Sequence, residues 1–186
     1  MESEPCLWIW IDLELTGLEV SKDKILEISV MLTDTRLEKI IEGPSFIIHE
    51  EPEILESMTD FVKKMHKKSG LDEQVLKSEI SLEQATSGVI QFFQSNNVHE
   101  AVLAGNSVHM DRIFLMKHMP ELFNGFISPF RLLDISTLKV LYMLYKAPNV
   151  PVKKTEKHRA IDDIKESIEE LRFYMTSGFT SALLTK

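Results

Sequence analysis

The sequence predicts an α/β domain in which a mixed sheet, with an antiparallel meander of three strands, is flanked by helices. Three observations predict it: strand-like apolar runs come first, amphipathic helical runs follow, and short apolar strands return between those helices. The chain has 186 residues, 44% of them hydrophobic, which suffices for the core of one domain. We therefore expect a single domain over residues 1–186, with residues 1–6 and about 177–186 as flexible tails.

The first strand is predicted within residues 7–17, where five apolar residues run into an alternating Asp-Leu-Glu-Leu and stop at Gly17. Such a run is typical of a central strand that is buried on both faces. The third strand is interrupted by Gly43 and Pro44, which indicates a bulge or an edge because proline cannot donate to the ladder. The four further strands are predicted over residues 24–33, 37–42 with 45–49, 101–105 and 131–135.

Five helices are predicted from their caps and their apolar periodicity. Ser81 and Gln84 have the spacing of a capping box. The fourth helix, capped by Ser136 or Thr137, is apolar nearly all round, and a small domain can bury such a helix only in its middle or against another subunit. We interpret it as the face of a homodimer. The first two helices are expected from Thr59 to about Gly70 and from Ser81 to about Phe93, and the third follows His109 and runs through Met119, where Pro120 ends it. The fourth is expected from Ser136 or Thr137 to about Tyr145, and the fifth from His158 to about Thr176.

Composition limits the partners and the location. A net charge of −8 argues against long polyanions, although a short, locally held nucleotide is still allowed. The single cysteine, Cys6, excludes an intramolecular disulfide and a cysteine-based zinc site. No run approaches the roughly 20 apolar residues of a membrane span, and the acidic residues 1–5 are unlike a signal or transit peptide. We expect no membrane partner and a cytoplasmic location, with a mitochondrial one open if a transit peptide precedes this sequence.

Asp12 and Glu14 are the first candidates for chemistry. Side chains alternate across a strand, so both project from one face, about 6.6 Å apart along it. Two buried carboxylates repel each other and are costly to desolvate, so the pair is stable mainly with a divalent cation between them. Hard oxygen ligands favour Mg²⁺ or Mn²⁺. On this motif alone, a strand end whose acids face water stays an alternative.

Further candidates stand at the starts of two helices. Asp111 falls in the first turn of the third helix, where an acid is often only a favourable partner of the helix dipole. His158 begins the last helix, and a histidine there is commonly a solvated residue. Helical geometry places both Asp162 and Asp163 off the apolar stripe, and periodicity alone cannot choose between them.

Together these motifs resemble the oligoribonuclease family, which comprises 3′–5′ exonucleases of the DEDDh type on a ribonuclease H-like fold. Three segments carry the resemblance: WIDLELTGL at 10–18, AGNSVHMD at 104–111 and HRAIDDI at 158–164. It covers about residues 7–175, nearly the whole chain, and includes the shorter segments EGP at 42–44, SGL at 69–71 and DIST at 134–137.

The resemblance implies a function as well as a fold. The expected activity is a metal-dependent 3′–5′ exoribonuclease that degrades single-stranded RNAs of about two to five residues, chiefly dinucleotides, to nucleoside 5′-monophosphates. Two Mg²⁺ or Mn²⁺ ions would be held by four carboxylates, and His158 would be the general base. Phosphodiester hydrolysis needs a generated hydroxide and a clamp on the leaving oxygen, which such a site supplies. The implied metal ligands are Asp12, Glu14, Asp111 and Asp163.

The family's substrate-binding positions also have counterparts in this chain. Leu18 is expected between the last two bases and Phe61 under one of them, while polar residues surround the 5′ phosphate of a very short substrate. Two residues depart from the family. Phe61 replaces a tryptophan and keeps a stacking ring, whereas Phe130 replaces a tyrosine contributed across the dimer and lacks its hydroxyl. The polar group comprises His66, Ser107, Arg131, Ser136 and Thr137.

Two other functions stay open at this stage. The same active site could serve a less size-selective exonuclease that acts on RNA or DNA, because the missing hydroxyl at Phe130 weakens the argument for dinucleotides. The chain could also be a non-catalytic nucleotide-binding protein that has kept the motifs. The presence of all five active-site residues argues against this second alternative.

Overall fold

The computed structural model describes residues 7–145 and 159–178. The strands are β1 (Leu7–Leu15), β2 (Ile25–Asp34), β3 (Ile40–Ile47), β4 (Ala101–Gly105) and β5 (Ile127–Asp134). The helices are α1 (Pro52–Glu56), α2 (Asp60–Ser69), α3 (Leu71–Lys77), α4 (Leu82–Ser95), α5 (His109–His118), α6 (Pro120–Phe126), α7 (Ile135–Tyr145) and α8 (Ala160–Phe173), which a π-helical turn (Tyr174–Gly178) follows. None of the helices in this described part is both long and apolar enough to cross a membrane.

The sheet confirms the predicted mixed topology. Its strand order is β3-β2-β1-β4-β5. β1 pairs with β2 and β2 with β3 in antiparallel fashion, while β1 with β4 and β4 with β5 are parallel. The meander therefore forms one half of the sheet, and β1 lies in its centre.

The predicted interruption of the third strand is a register shift within one continuous strand. β3 runs through Gly43 and Pro44, and its pairing with β2 shifts between Ser29 and Met31. Gly43 is required by close packing, since a Cβ atom there would lie 2.6 Å from the ring of Phe92.

Side-chain alternation along β1 divides the core into two layers. Ile9, Ile11 and Leu13 pack into the cluster under α4, α5 and α6. Trp10 packs into the opposite cluster, with Ile164 and other residues of α8. Because Asp12 and Glu14 have the same parity as Trp10, their side chains face α8. The topology thus determines which helix can complete an acidic site.

The predicted caps are confirmed at two helices and wrong at a third. Thr59 caps α2 by accepting the N–H of Val62, and Ser81 forms a capping box with Gln84 before α4. The fourth predicted helix, α7, begins at Ile135, so Ser136 and Thr137 lie inside it and do not cap it. The Asp134 carboxylate accepts the Ser136 N–H instead, at 3.0 Å. An aspartate at the end of a strand is a ready cap for the helix that follows it directly.

Three short helices were not predicted from the sequence. α1 and α3 cover a small cluster around Leu26, separate from the two main layers. Pro120 does follow α5, but it also begins α6, where its fixed φ and missing N–H suit a first helical turn. In the last helix, the described residues place the start at Ala160; His158, the basic loop at 148–157 and both predicted tails up to residue 6 and from residue 179 lie outside the described residues.

Candidate active site

Three carboxylates converge where β1 meets the start of α8. Asp12, Glu14 and Asp163 each offer an oxygen, and these oxygens all lie within 4.8 Å of one another. Glu14 is buried, while the other two are half-buried and so accessible to a ligand. The strand supplies two acids by alternation, and the first turn of α8 supplies the third. Of the two acids that periodicity left open, Asp163 is the one in this cluster.

Asp111 lies beside this cluster and is not one of its three members. It is buried in the first turn of α5. Its Oδ1 accepts the backbone N–H of Leu13 at 2.9 Å, and Leu13 stands between the two acids of β1. Asp111 is therefore anchored to the strand that carries the site.

Burial and like charge make these carboxylates unusually basic. The pKa of Glu14 is raised to about 8, first by burial and then by the nearby Asp163 carboxylate. Burial likewise raises the pKa of Asp111 to about 7. Acids held together against their repulsion form a donor set of hard oxygens that suits a divalent cation, whose charge would favour the ionised carboxylates and so oppose both shifts.

Arg159 fixes the start of α8 next to the cluster, and sequence reasoning missed it. Its guanidinium donates to both oxygens of buried Glu27, from Nε and Nη2, each at 3.1 Å. Glu27 is the cross-strand partner of Glu14. The Arg159 carbonyl accepts the N–H groups of Asp162 and Asp163, so the residue that pairs with Glu27 also begins α8. The signal available in the sequence was an arginine directly after His158.

His66 lies in the core behind the acidic cluster. It is fully buried on α2, and its Nε2 donates to the Leu15 carbonyl at 2.9 Å. Its Nδ1 is 3.8 Å from Oε2 of Glu14. In this structure His66 therefore supports the end of β1 and stands next to an acid of the cluster.

The predicted phosphate residues Ser107 and Ser136 are brought together by Asp134. One oxygen of that carboxylate accepts the N–H of Ser107 and the N–H of Ser136, each at 3.0 Å. Ser107 is held in the left-handed region at φ 54°, and its hydroxyl lies 3.1 Å from that of Ser136. Arg131 and Thr137 are exposed. The role of Asp134 was missed, although the segment that contains it carried part of the resemblance.

Leu18, Phe61 and Phe130 are apolar side chains that the described structure leaves in solvent. They are 71%, 76% and 89% exposed, respectively. Large exposed apolar groups are common at ligand or subunit contacts. Their exposure is compatible with the base-stacking and dimer-contact positions expected from the sequence.

The sheet topology and the converging acids together define an exonuclease-type site. The exonuclease family model matches residues 9–171. In solved structures, E. coli exonuclease I in complex with a dT13 oligonucleotide superposes with a TM-score of 0.64 at 12% identity. That match covers 91% of this chain and 41% of the other, so this chain spans about two fifths of exonuclease I, and the likeness concerns the fold alone.

Sequence relatives identify the family to which the chain belongs among the exonucleases. The chain is 43% identical over 173 residues to a probable oligoribonuclease of Dictyostelium discoideum, covering 92% of this chain and 90% of the relative. It is 42% identical over 174 residues to the mitochondrial oligoribonuclease of Mus musculus, covering 92% and 73%. It is 41% identical over 167 residues to an oligoribonuclease of Pseudomonas savastanoi, covering 89% and 92%. The chain therefore belongs to the oligoribonuclease family of 3′–5′ exonucleases. Divalent-metal dependence is a property of the exonuclease family, and the acidic cluster fits it.

The raised carboxyl pKa values predict a pH dependence of stability without divalent cations. Folded Glu14 keeps its proton up to its pKa of about 8, whereas in the unfolded chain it loses it near the ordinary value of 4.5. Between these values the unfolded state binds fewer protons, so the free energy of unfolding falls as the pH rises. In a chelating buffer, the Tm should therefore decrease from about pH 5 to about pH 8.

Glu14→Gln is the control for this prediction, because it removes the group that titrates. The variant should flatten part of the decrease, and added Mn²⁺ should raise the Tm of the parent most at the alkaline end, where the carboxylates must ionise. An identical slope in parent and variant would contradict the assignment of this pH dependence to Glu14.

Proposed function

We propose that this chain is a metal-dependent 3′–5′ exoribonuclease that hydrolyses single-stranded RNAs of about two to five residues, chiefly dinucleotides, to nucleoside 5′-monophosphates. The observation that carries the proposal is the convergence of Asp12, Glu14 and Asp163 within 4.8 Å. It occurs in a chain whose relatives at 41–43% identity are named oligoribonucleases.

The acids would hold two Mg²⁺ or Mn²⁺ ions. Asp12, Glu14 and Asp163 would be the direct ligands, and Asp111, anchored on Leu13, would complete the set. When bound, such ions generate a hydroxide nucleophile and stabilise the charge that develops on the leaving oxygen. Four carboxylates can neutralise most of the positive charge of the two ions. Because these acids lie close together, the ions that they hold could act on one phosphodiester.

His158 is the proposed general base. An imidazole with an unperturbed pKa of about 6.5 can take a proton from the attacking water near neutral pH. In the sequence His158 directly precedes Arg159, whose bidentate pair with buried Glu27 lies next to the acidic cluster.

The substrate-binding residues expected from the sequence offer two kinds of contact to a short RNA. Leu18 and Phe61 would contact the last two bases through apolar and stacking surfaces. The 5′ phosphate would be met by Arg131 together with the adjacent hydroxyls of Ser107 and Ser136, with Thr137 in the next position of α7. These side chains around the 5′ phosphate would favour dinucleotides, since a longer chain would collide with them.

Phe130 favours a second candidate, a less size-selective exonuclease acting on RNA or DNA. Its ring is 89% exposed and carries no hydroxyl to donate to a phosphate. The two candidates share one catalytic site and differ in how strictly they measure substrate length.

A length series tests the proposed function against this second candidate. With 5′-phosphorylated oligomers of two to seven residues, in Mg²⁺ and in Mn²⁺, kcat/KM should be highest for the dinucleotide. Arg131→Ala should flatten that profile because it removes a bidentate phosphate partner. Phe130→Tyr should improve the dinucleotide reaction by about 10- to 100-fold, the effect of a hydrogen bond to a charged group. A flat profile in the parent would favour the less selective enzyme.

The choice between the two acids of α8 gives a matched pair of variants. Asp163→Asn should nearly abolish turnover, because its carboxylate is one of the three that converge. Asp162→Asn changes a neighbour with no proposed ligand role and should leave turnover close to that of the parent. Single-turnover hydrolysis of a labelled dinucleotide at saturating Mn²⁺ measures both. Equal loss of turnover in the two variants would contradict the proposal that Asp163, and not Asp162, is the metal ligand.

Replacing the proposed base should lower the rate without weakening binding. His158→Ala should cost on the order of 10²–10⁴-fold in kcat, the usual contribution of a general base. The parent rate should rise with pH through the pKa of the base, and the variant should lose that limb. A variant within about tenfold of the parent at every pH would remove His158 from the mechanism.

The exposed apolar surface of α7 supports a homodimer. Val140 and Leu144 are 56% and 72% exposed, while Leu138 and Tyr142 on the other side of the helix pack against the α8 layer. α7 follows β5, the edge strand that carries Phe130. An apolar helix that follows the edge strand of the described sheet would be covered by a second subunit.

In solution the protein should have about twice the 21.4 kDa mass of one chain. Leu144→Glu should separate the subunits, because a charge would have to be buried in an apolar contact. Leu76→Glu, at an exposed leucine of α3, is the control and should leave the mass unchanged. Light scattering at micromolar concentration measures all three proteins. A fully active parent monomer would count against this interface.

A further inference from the structure

Glu170 is a buried acid that the proposed chemistry does not use. It lies on α8, two helical turns after Asp163, and only 2% of it is exposed. A buried carboxylate is costly unless it is hydrogen-bonded, and both oxygens of Glu170 have partners. Oε1 accepts from the Tyr174 hydroxyl at 2.8 Å, and Oε2 accepts from the Asn106 side chain at 3.2 Å.

This carboxylate determines the orientation of the Asn106 amide. An ionised carboxylate can only accept hydrogen bonds, so Asn106 has to turn its NH₂ group toward Glu170. The same NH₂ group donates to the Ser167 hydroxyl at 2.7 Å. The carbonyl oxygen of Asn106 is thereby directed at Ser136, whose hydroxyl donates to it at 3.3 Å.

These hydrogen bonds extend to Ser107 and Ser136, which form the proposed phosphate pocket. Ser136 Oγ accepts the N–H of Ser107 at 2.8 Å and lies 3.1 Å from the Ser107 hydroxyl. A hydroxyl has one hydrogen, and Ser136 gives its own to Asn106. In the 3.1 Å contact between the two hydroxyls, Ser107 must therefore be the donor, and this exposed hydroxyl can turn the same hydrogen from Ser136 to an incoming anion.

The same network is joined to the turn that carries a proposed metal ligand. Ser167 accepts from Asn106 and donates to the main-chain carbonyl of Asp163 at 2.7 Å. The phosphate pocket and the first turn of α8 are thus connected through two side chains, Asn106 and Ser167.

We propose that Glu170 is a positioning residue for recognition of the 5′ phosphate. It sets the orientation of Asn106 and, through Ser136, makes the Ser107 hydroxyl the donor of the pair, held where the phosphate can replace Ser136 as its acceptor. The inference rests on the proposed function and adds to it a buried residue that no substrate touches. Without an acceptor at position 170, Asn106 can present either end of its amide to Ser136, and the direction of the bonds is no longer set.

The test compares 5′-phosphorylated with 5′-hydroxyl dinucleotides. Glu170→Gln keeps the size of the side chain but replaces one of its two acceptor oxygens, which accept from Tyr174 and Asn106, with an NH₂ group. The ratio of kcat/KM between the two substrates should fall about tenfold, while kcat/KM for the 5′-hydroxyl dinucleotide stays within about twofold of the parent. Glu169→Gln is the matched control, since Glu169 is the neighbouring acid on the exposed side of α8, paired with Arg172. It should leave the ratio unchanged.

A double-mutant cycle asks whether Glu170 acts through Asn106. Asn106→Ala should lower the same ratio, and adding Glu170→Gln to it should lower the ratio no further. Additive losses, or equal losses on both substrates together with a lower Tm, would make Glu170 merely structural and overturn the inference.

The remaining outcomes separate this inference from the proposed function. If Glu170→Gln does not fold by circular dichroism, Asn106→Ala carries the test, and an unchanged ratio in that variant overturns the inference. A high ratio in the parent that survives in Glu170→Gln overturns only the role of Glu170. A parent ratio of one would overturn the phosphate pocket, and this inference with it.

Discussion

The repulsion among the carboxylates at the end of β1 is the constraint on which the surrounding structure depends. Asp12, Glu14 and Asp163 are kept within 4.8 Å although burial raises the pKa of Glu14 to about 8. Such a cluster persists only if the strand and the helix that carry it are held independently of the acids themselves. Residues on several neighbouring elements provide that support, so the like charges stay together despite their repulsion.

Each support comes from a different element. Arg159 clamps the start of α8 to β2 through Glu27, His66 of α2 donates to the end of β1 at Leu15, and Asp111 of α5 accepts from Leu13. Among these three supports, Arg159 contributes an opposite charge, and it lowers the pKa of Glu14. The positions of the acids are therefore fixed mainly by hydrogen bonds to the backbone and by helix packing. A cation can then bind with little reorganisation.

Much of the fold and part of the site could be predicted because they depend on local periodicity. The unbroken apolar run in β1 predicted that this strand is buried on two faces, and alternation along it predicted that Asp12 and Glu14 share one of them. The capping box at Ser81 predicted the start of α4 in the same way. Local pattern could not choose Asp163 over Asp162, since both lie off the apolar stripe of α8 and the choice depends on where β1 passes.

Other features could not be predicted because they depend on contacts between distant segments. Glu170 has the sequence environment of an ordinary solvated helix residue, yet Asn106, 64 positions away, and Tyr174 make it part of a buried network. Asp134 likewise caps α7 and orders Ser107, 27 positions away. Short helices such as α3 have too few turns to establish an amphipathic period.

The hydrogen bond from Leu13 to Asp111 also shows how the carboxyl end of a central strand is completed after its neighbour has ended. The parallel pairing of β1 with β4 covers Trp8, Ile9 and Trp10, and β4 ends at Gly105, one residue after the partner of Trp10. Three residues beyond Trp10, a side chain from α5 accepts the N–H of Leu13 in place of a neighbouring strand. The end of a central strand, ordinarily among the least accessible parts of an open sheet, is thereby bordered by a helix side chain. Ligands of open α/β sheets bind outside the carboxyl ends of the strands.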